Sequence, residues 1–249
     1  MTAAGFDPAA LVAAARAALA ARGSPERAAG AKAYLKSELD FLGVDAGGVR
    51  ATARELFEGH PEIDHGRLVA LVRALWQEPV FELKALGVAL LERRPDLLSA
   101  DDLGLLEELL RRSGTWALVD FICTKVAAPV VARAPAASMV LERWSRDGDF
   151  WLRRAALLSL LPELRAGRGD FALFARFAGR MVDEREFFIR KAVGWVLRDV
   201  SKKRPELAFA FLAEHIDRVS GLTLREGSKY LPDAQRRELR RLRASPPGP

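Results

Sequence analysis

The residues with the most chemical potential in this chain are aromatic and cationic side chains placed on one side of a helix. The stretch Glu186 to Asp199, EFFIRKAVGWVLRD, meets no helix breaker until Pro205, and helical spacing puts Phe188, Lys191 and Trp195 on one side. Ile189, Ala192, Val193 and Val196 form a separate apolar stripe able to pack inward, so Trp195 is not needed to complete the core face. The bland alternative for Trp195 is to fill a groove between helices, as tryptophans often do. A surface that is aromatic and cationic together is suited to a polyanion. The net charge of +6 and pI near 9.8 favour the same partner, although a solvated basic surface explains the charge equally well.

The cations of that stretch have counterparts. Leu83-Lys84-Ala85, Leu152-Arg153-Arg154-Ala155 and Ile189-Arg190-Lys191-Ala192 occupy equivalent places near the start of a helix, each after a short turn. With a repeating unit of ~35 residues these positions lie about two units and one unit apart, which is the period of helical-pair solenoids. Stacked pairs bury faces that no pair can bury alone, and the recurring cations would then line one groove.

The elements that must position these groups read as helix after helix, and the alternation of a strand is missing throughout. An opening amphipathic helix is capped by Asp7 with Pro8 at its first position. Helices are expected over Arg27 to Leu42, over Val49 to Phe57 after a Gly47-Gly48 turn, and over Arg67 to Trp76 and Phe81 to Glu92. Further ones run from Asp101 to Arg112, Trp116 to Val126, Ser138 to Arg146, Phe150 to Leu161 and Phe171 to Val182. The Glu186 to Val200 stretch, Glu206 to Ile216 and Leu222 to Arg243 complete the series. The expected fold is therefore all-α, a curved α-solenoid of HEAT-like helical pairs in a single domain over 1–243, with residues 244–249 as a disordered tail.

Composition bounds the function. No apolar run approaches the ~18 residues that cross a bilayer, and Asp7, Pro8 and Arg16 make the alanine-rich beginning unlike a secretory signal, so a soluble protein without a membrane partner is expected. The only cysteine, Cys123, excludes an internal disulfide and fits a reducing compartment. His60, His65 and His215 lack metal-ligand company, so no metal and no cofactor is expected.

The segments AYLKSELDFLGV, LWQEPVFELKALGVALLERR, SGTWALVD, FWLRRAALLSL and EFFIRKAVGWVLRD, in that order between about residue 24 and residue 240, together resemble the DNA alkylation repair family of HEAT-like-repeat DNA glycosylases, the AlkD-like enzymes. The resemblance implies excision of cationic alkylated purines such as 3-methyladenine and 7-methylguanine from double-stranded DNA. It also implies that the base is not extruded, unlike in most glycosylases. Carried over by position, the family's catalytic aspartate falls on Asp120 and its two cleft tryptophans on Trp116 and Trp195. Its phosphate-facing arginine falls on Arg154, with the neighbouring Arg153 as the alternative. Lys84, Arg190, Lys191 and Arg198 follow as DNA backbone contacts if the groove holds, while Phe187 and Phe188 read as packing and Arg236 to Arg243 as a solvated face. The chain departs from the family's common Trp-Trp-Asp-x-Val-Asp motif at Thr115 and Ala117, and its early loop reads GVDAGGVR in place of a Gly-Ile-x-Thr-Pro run. A monomer acting in the cytoplasm on nucleoid DNA is implied. A DNA-structure binder without catalysis and a helical-repeat protein-interaction module are the alternatives on the same scaffold.

Overall fold

The computed structural model describes residues 6–244. Among the described residues α-helices follow one another and no strand forms, apart from an isolated bridge between Asp40 and Val80. The all-α helical-repeat expectation holds. The chain divides between Val126 and Ala127 into two compact units.

The first unit contains α1 (Pro8–Ala20), α2 (Pro25–Leu35), α3 (Ala46–Gly59), α4 (His65–Gln77), α5 (Phe81–Arg93), α6 (Leu103–Arg111) and α7 (Trp116–Phe121). The second contains α8 (Ala128–Arg133), α9 (Ala137–Trp144), α10 (Phe150–Leu158), α11 (Leu161–Arg165), α12 (Phe171–Arg180), α13 (Phe187–Ser201), α14 (Pro205–Glu214), α15 (Gly221–Gly227) and α16 (Asp233–Ala244). Side-chain caps explain many of the starts. Asp7 accepts from the Ala9 amide at 2.9 Å, Asp45 from Gly48 at 2.8 Å, Asp64 from Arg67 at 2.9 Å, Asp149 from Trp151 at 2.8 Å and Asp170 from Leu173 at 2.9 Å.

The repeat appears at residue level. Leu83, Leu152 and Ile189 are each the third residue of their helices α5, α10 and α13, and each is fully buried. The following position holds Lys84, Arg153 and Arg190, and the one after it Ala85, Arg154 and Lys191. In the second unit α13 is drawn unusually close to α15: a Cβ added at Gly194 would lie 2.8 Å from the Glu226 Cβ, and one added at Gly227 would lie 3.0 Å from the Leu197 Cβ. Two facing glycines thus set how deeply the helix carrying Trp195 is seated.

Four helix boundaries differ from expectation, each for a local reason. The second helix stops at Leu35 because Lys36 turns left-handed, with φ of 49°. The chain beyond it is taken over by the buried carboxylate of Glu82, which accepts from the amides of Leu42, Gly43 and Val44 at 2.9, 2.8 and 3.2 Å. Gly43 adopts φ of 74° there, and a Cβ on it would stand 2.1 Å from the Ser24 carbonyl oxygen. Gly47 and Gly48 make no turn, because the Asp45 cap starts α3 one residue before them. The expected Phe150 to Leu161 helix is shared between α10 and α11, the latter starting at Leu161 with Pro162 at its second position. The expected Leu222 to Arg243 helix is split into α15 and α16 around Pro232. Of the expected tail, Ala244 is the last residue of α16, and 245–249 lie outside the described residues.

Candidate functional site

On the first unit, Trp116 and Asp120 stand one turn apart on α7, both half-buried. Thr115, buried, caps the helix by accepting from the Ala117 amide at 3.5 Å, so the threonine that departs from the family motif has a local function. After Phe121 the backbone widens into a π-helix over Ile122–Ala127. Pro129 has no N–H to return to the Lys125 carbonyl four residues earlier, and a widened turn is one way for a helix to absorb that loss. The Thr124 hydroxyl donates to the Asp120 carbonyl at 2.7 Å within this relaxed turn, fixing the backbone directly beneath the carboxylate.

Sequence reasoning missed Tyr34. It projects from α2 with 72% of its surface exposed and meets the Trp116 ring edge-on, with centroids 5.7 Å apart and planes at 79°. The segment containing it was legible as part of the family resemblance, but only folding shows which of its side chains reaches α7.

Lys84, expected as a DNA contact, is buried at 5% exposure in the same unit. Its ammonium donates to the Arg112 carbonyl at 3.1 Å and lies 5.3 Å from the ring centre of the fully buried Trp76. Burial, with a smaller contribution from the Arg112 charge, lowers its pKa from 10.5 to about 8. As placed, Lys84 does not present its head group at the surface.

On the second unit, the equivalent cations serve carbonyls as well. Arg153 donates to the Asp147 and Gly148 carbonyls at 2.7 and 2.9 Å and forms a fork-to-fork pair with Glu184, both bonds at 2.9 Å. Arg190 donates to the Glu184 carbonyl at 2.8 Å. The recurrence of Lys84, Arg153 and Arg190 therefore has a structural reason: each ties a connecting segment to its helix. Arg154, 1% exposed, donates to the Phe188 carbonyl and lies 5.8 Å from the Phe188 ring centre, and Arg198 pairs with Glu226 on α15. Lys191 is the exposed member of the set, its ammonium 5.8 Å from the ring centre of Phe187, itself 54% exposed. Phe150, Trp151, Phe187 and Phe188 form a linked aromatic cluster at the starts of α10 and α13, with successive centroids 4.3, 5.0 and 5.4 Å apart.

Trp195 is half-buried in mid-α13 and its indole N–H donates to Asp199 Oδ2 at 3.1 Å. Burial pushes the Asp199 carboxyl up, but hydrogen bonds and charge from Lys202 and Arg165 outweigh it and hold the group below the usual carboxylate range. No group of three or more potential metal ligands occurs among the described residues, and no described helix is long and apolar enough to cross a membrane.

A sequence profile described as DNA alkylation repair enzyme matches residues 15–231, most of the chain. The chain belongs to the DNA alkylation repair enzyme family. A solved structure described as a predicted DNA alkylation repair enzyme from Enterococcus faecalis is similar to it over 85% of this chain and 98% of that one, with 26% identity and a TM-score of 0.76. The crystal structure of smu.31 from Streptococcus mutans UA159 covers 78% of this chain and 90% of its own, at 16% identity and a TM-score of 0.52, and shares the fold. No curated protein sequence matches the chain. Trp116 and Asp120 on α7, and Trp195 on α13, are half-buried residues of ordered helices.

Proposed function

We propose that this DNA alkylation repair family member is a DNA glycosylase that hydrolyses the N-glycosidic bond of cationic alkylated purines, 3-methyladenine and 7-methylguanine among them, in double-stranded DNA. The observation that carries the reading is the Trp116 and Asp120 pair, one turn apart on α7 with the exposed Tyr34 ring set edge-on against Trp116. A purine that already bears positive charge departs with little acid assistance, so the demand falls on the sugar, which becomes oxocarbenium-like as the bond lengthens. A fixed carboxylate stabilises that charge and can orient the attacking water. Asp120 takes this part, with the Trp116 face beside it on the same helix packing on the deoxyribose; on the second unit the Trp195 face is an aromatic surface able to attract a cationic nucleotide. Lys191 supplies a contact to the DNA backbone, which positions the duplex without reading its sequence. Arg154, committed to the Phe188 carbonyl, acts from beneath by fixing the start of α13.

Asp120→Asn tests the assignment. It keeps the side chain's size and removes the negative charge, so duplex binding persists while single-turnover release of 7-methylguanine slows about a hundredfold, on the order of 3 kcal/mol of lost transition-state stabilisation. Full single-turnover excision by Asp120→Asn would remove Asp120 from the mechanism. A wild-type protein that binds methylated duplex and frees no base would leave a DNA-structure binder.

A further inference from the structure

Trp195 is held through its indole N–H by a buried carboxylate. Asp199 is 3% exposed, one helical turn beyond Trp195 on α13. Its Oδ2 accepts the Trp195 indole N–H at 3.1 Å and the Arg165 Nε at 2.8 Å, and its Oδ1 accepts the Lys202 ammonium at 2.7 Å. The Arg165 guanidinium, at the end of the neighbouring α11, also lies 5.9 Å from the centre of the Trp195 ring. A carboxylate this deeply buried needs compensation, and it has two cations. Between them they hold it in place as a fixed acceptor.

The consequence falls on the indole. A tryptophan side chain turns about two torsions, and packing on a helix surface restrains the first more than the second. The N–H bond to a fixed acceptor sets the second, and Arg165 stands over the ring as a buttress.

We propose that Asp199 is a positioning residue for Trp195, locking the indole at one angle through its N–H so that the aromatic surface offered to the nucleotide is preformed. The catalytic consequence rests on the glycosylase reading; the locking itself does not. A ring free to turn would have to be ordered when DNA binds, and misplacement of a packing surface is felt in the rate more than in affinity for the duplex at large.

Two measurements on the full chain test this. In nitrogen-15 spectra of the free protein the Trp195 indole resonance is identified by its loss in Trp195→Phe. Asp199→Asn should move that resonance and speed its exchange with solvent about tenfold, as expected on weakening a hydrogen bond to a charged group. An unmoved resonance with unchanged exchange would overturn the proposal. If Asp199→Asn does not fold, the wild type decides: exchange of the Trp195 N–H at the rate of a free indole would overturn it equally. In single-turnover excision Asp199→Asn should be slowed about tenfold with undamaged-duplex affinity unchanged, and it should add nothing in a Trp195→Phe background, where no indole N–H remains. Additive losses would mean that Asp199 acts independently of Trp195 and would overturn the positioning role. Should the wild type free no base, the glycosylase reading falls, and the resonance still decides whether Asp199 locks the ring.

Discussion

Replacing Lys84 with Met separates a buried structural cation from a DNA contact. In the folded protein the pKa of Lys84 lies at about 8, against 10.5 for the group in an unfolded chain. Below pH 8 the ammonium is charged in both states and the full cost of burying it weighs on folding. Between pH 8 and 10.5 the folded protein has shed a proton that the unfolded chain still holds, so this group makes stability rise with pH across that window. At ~1.4 kcal/mol per pH unit the ceiling is on the order of 3 kcal/mol, and an interval from pH 7.5 to pH 10, which stops short of the unfolded pKa, captures about 2 kcal/mol of it. Met preserves most of the contact with Trp76 and carries no proton. Urea unfolding of wild type and Lys84→Met at pH 7.5 and pH 10 measures the effect, and taking the difference between the proteins cancels the other titrating groups. The expected result is a wild type that gains about 2 kcal/mol relative to the variant on going to the higher pH. A difference that stays constant across the window would refute the reasoning from burial. So would a fall in the salt dependence of duplex binding in Lys84→Met, since that would return the side chain to the DNA.

Two further outcomes are expected. Lys191→Met, at the exposed position of the repeat, should reduce the slope of log affinity against log salt for undamaged duplex by about one, measured by fluorescence anisotropy. Gly194→Ala places a Cβ 2.8 Å from the Glu226 Cβ and 3.3 Å from the Thr223 Cα, so prising α13 from α15 should cost on the order of 1–3 kcal/mol in denaturant unfolding. Wild-type stability in that variant would mean the two helices have more freedom than their contact suggests.

How far the sequence reached depends on whether each feature is local. The helices and the repeat register were legible because they rest on spacing and on caps such as Asp7, which the structure reproduces at Ala9. The third-position residues Leu83, Leu152 and Ile189 align as expected. The extended segment after Lys36 was not legible, because the group that dictates it, Glu82, lies about forty residues downstream and is unremarkable among helix-surface glutamates until the chain folds. The same limit governed the cations. Lys84, Arg153 and Arg190 share a register that reads as a charged stripe, and only the folded loops reveal carbonyls waiting for each of them. Tyr34 and Asp199 are visible as letters, but what matters about them is contact with tryptophans on α7 and α13.

The distribution of these cations bears on how the proposed chemistry would be achieved. Arg153 and Arg190 spend their donors on the segments leading into α10 and α13, and Arg154 joins α10 to the first turn of α13. The beginnings of two helices are therefore tied down by charge-assisted bonds rather than left to fray. The net positive charge of the sequence accordingly overstates the charge available to a phosphate backbone, and a salt slope set by a few contacts such as Lys191 follows. For a reaction whose leaving group already carries its own positive charge, that is a workable division. The proposed reaction would require little acid–base strength, whereas a carboxylate and an aromatic face would have to be held to within a fraction of an ångström of where the sugar cation develops. Arginines that grip backbone carbonyls, an Asp120 whose own carbonyl is secured by Thr124, and a Trp195 indole bonded to Asp199 would each supply stiffness that the proposed reaction demands.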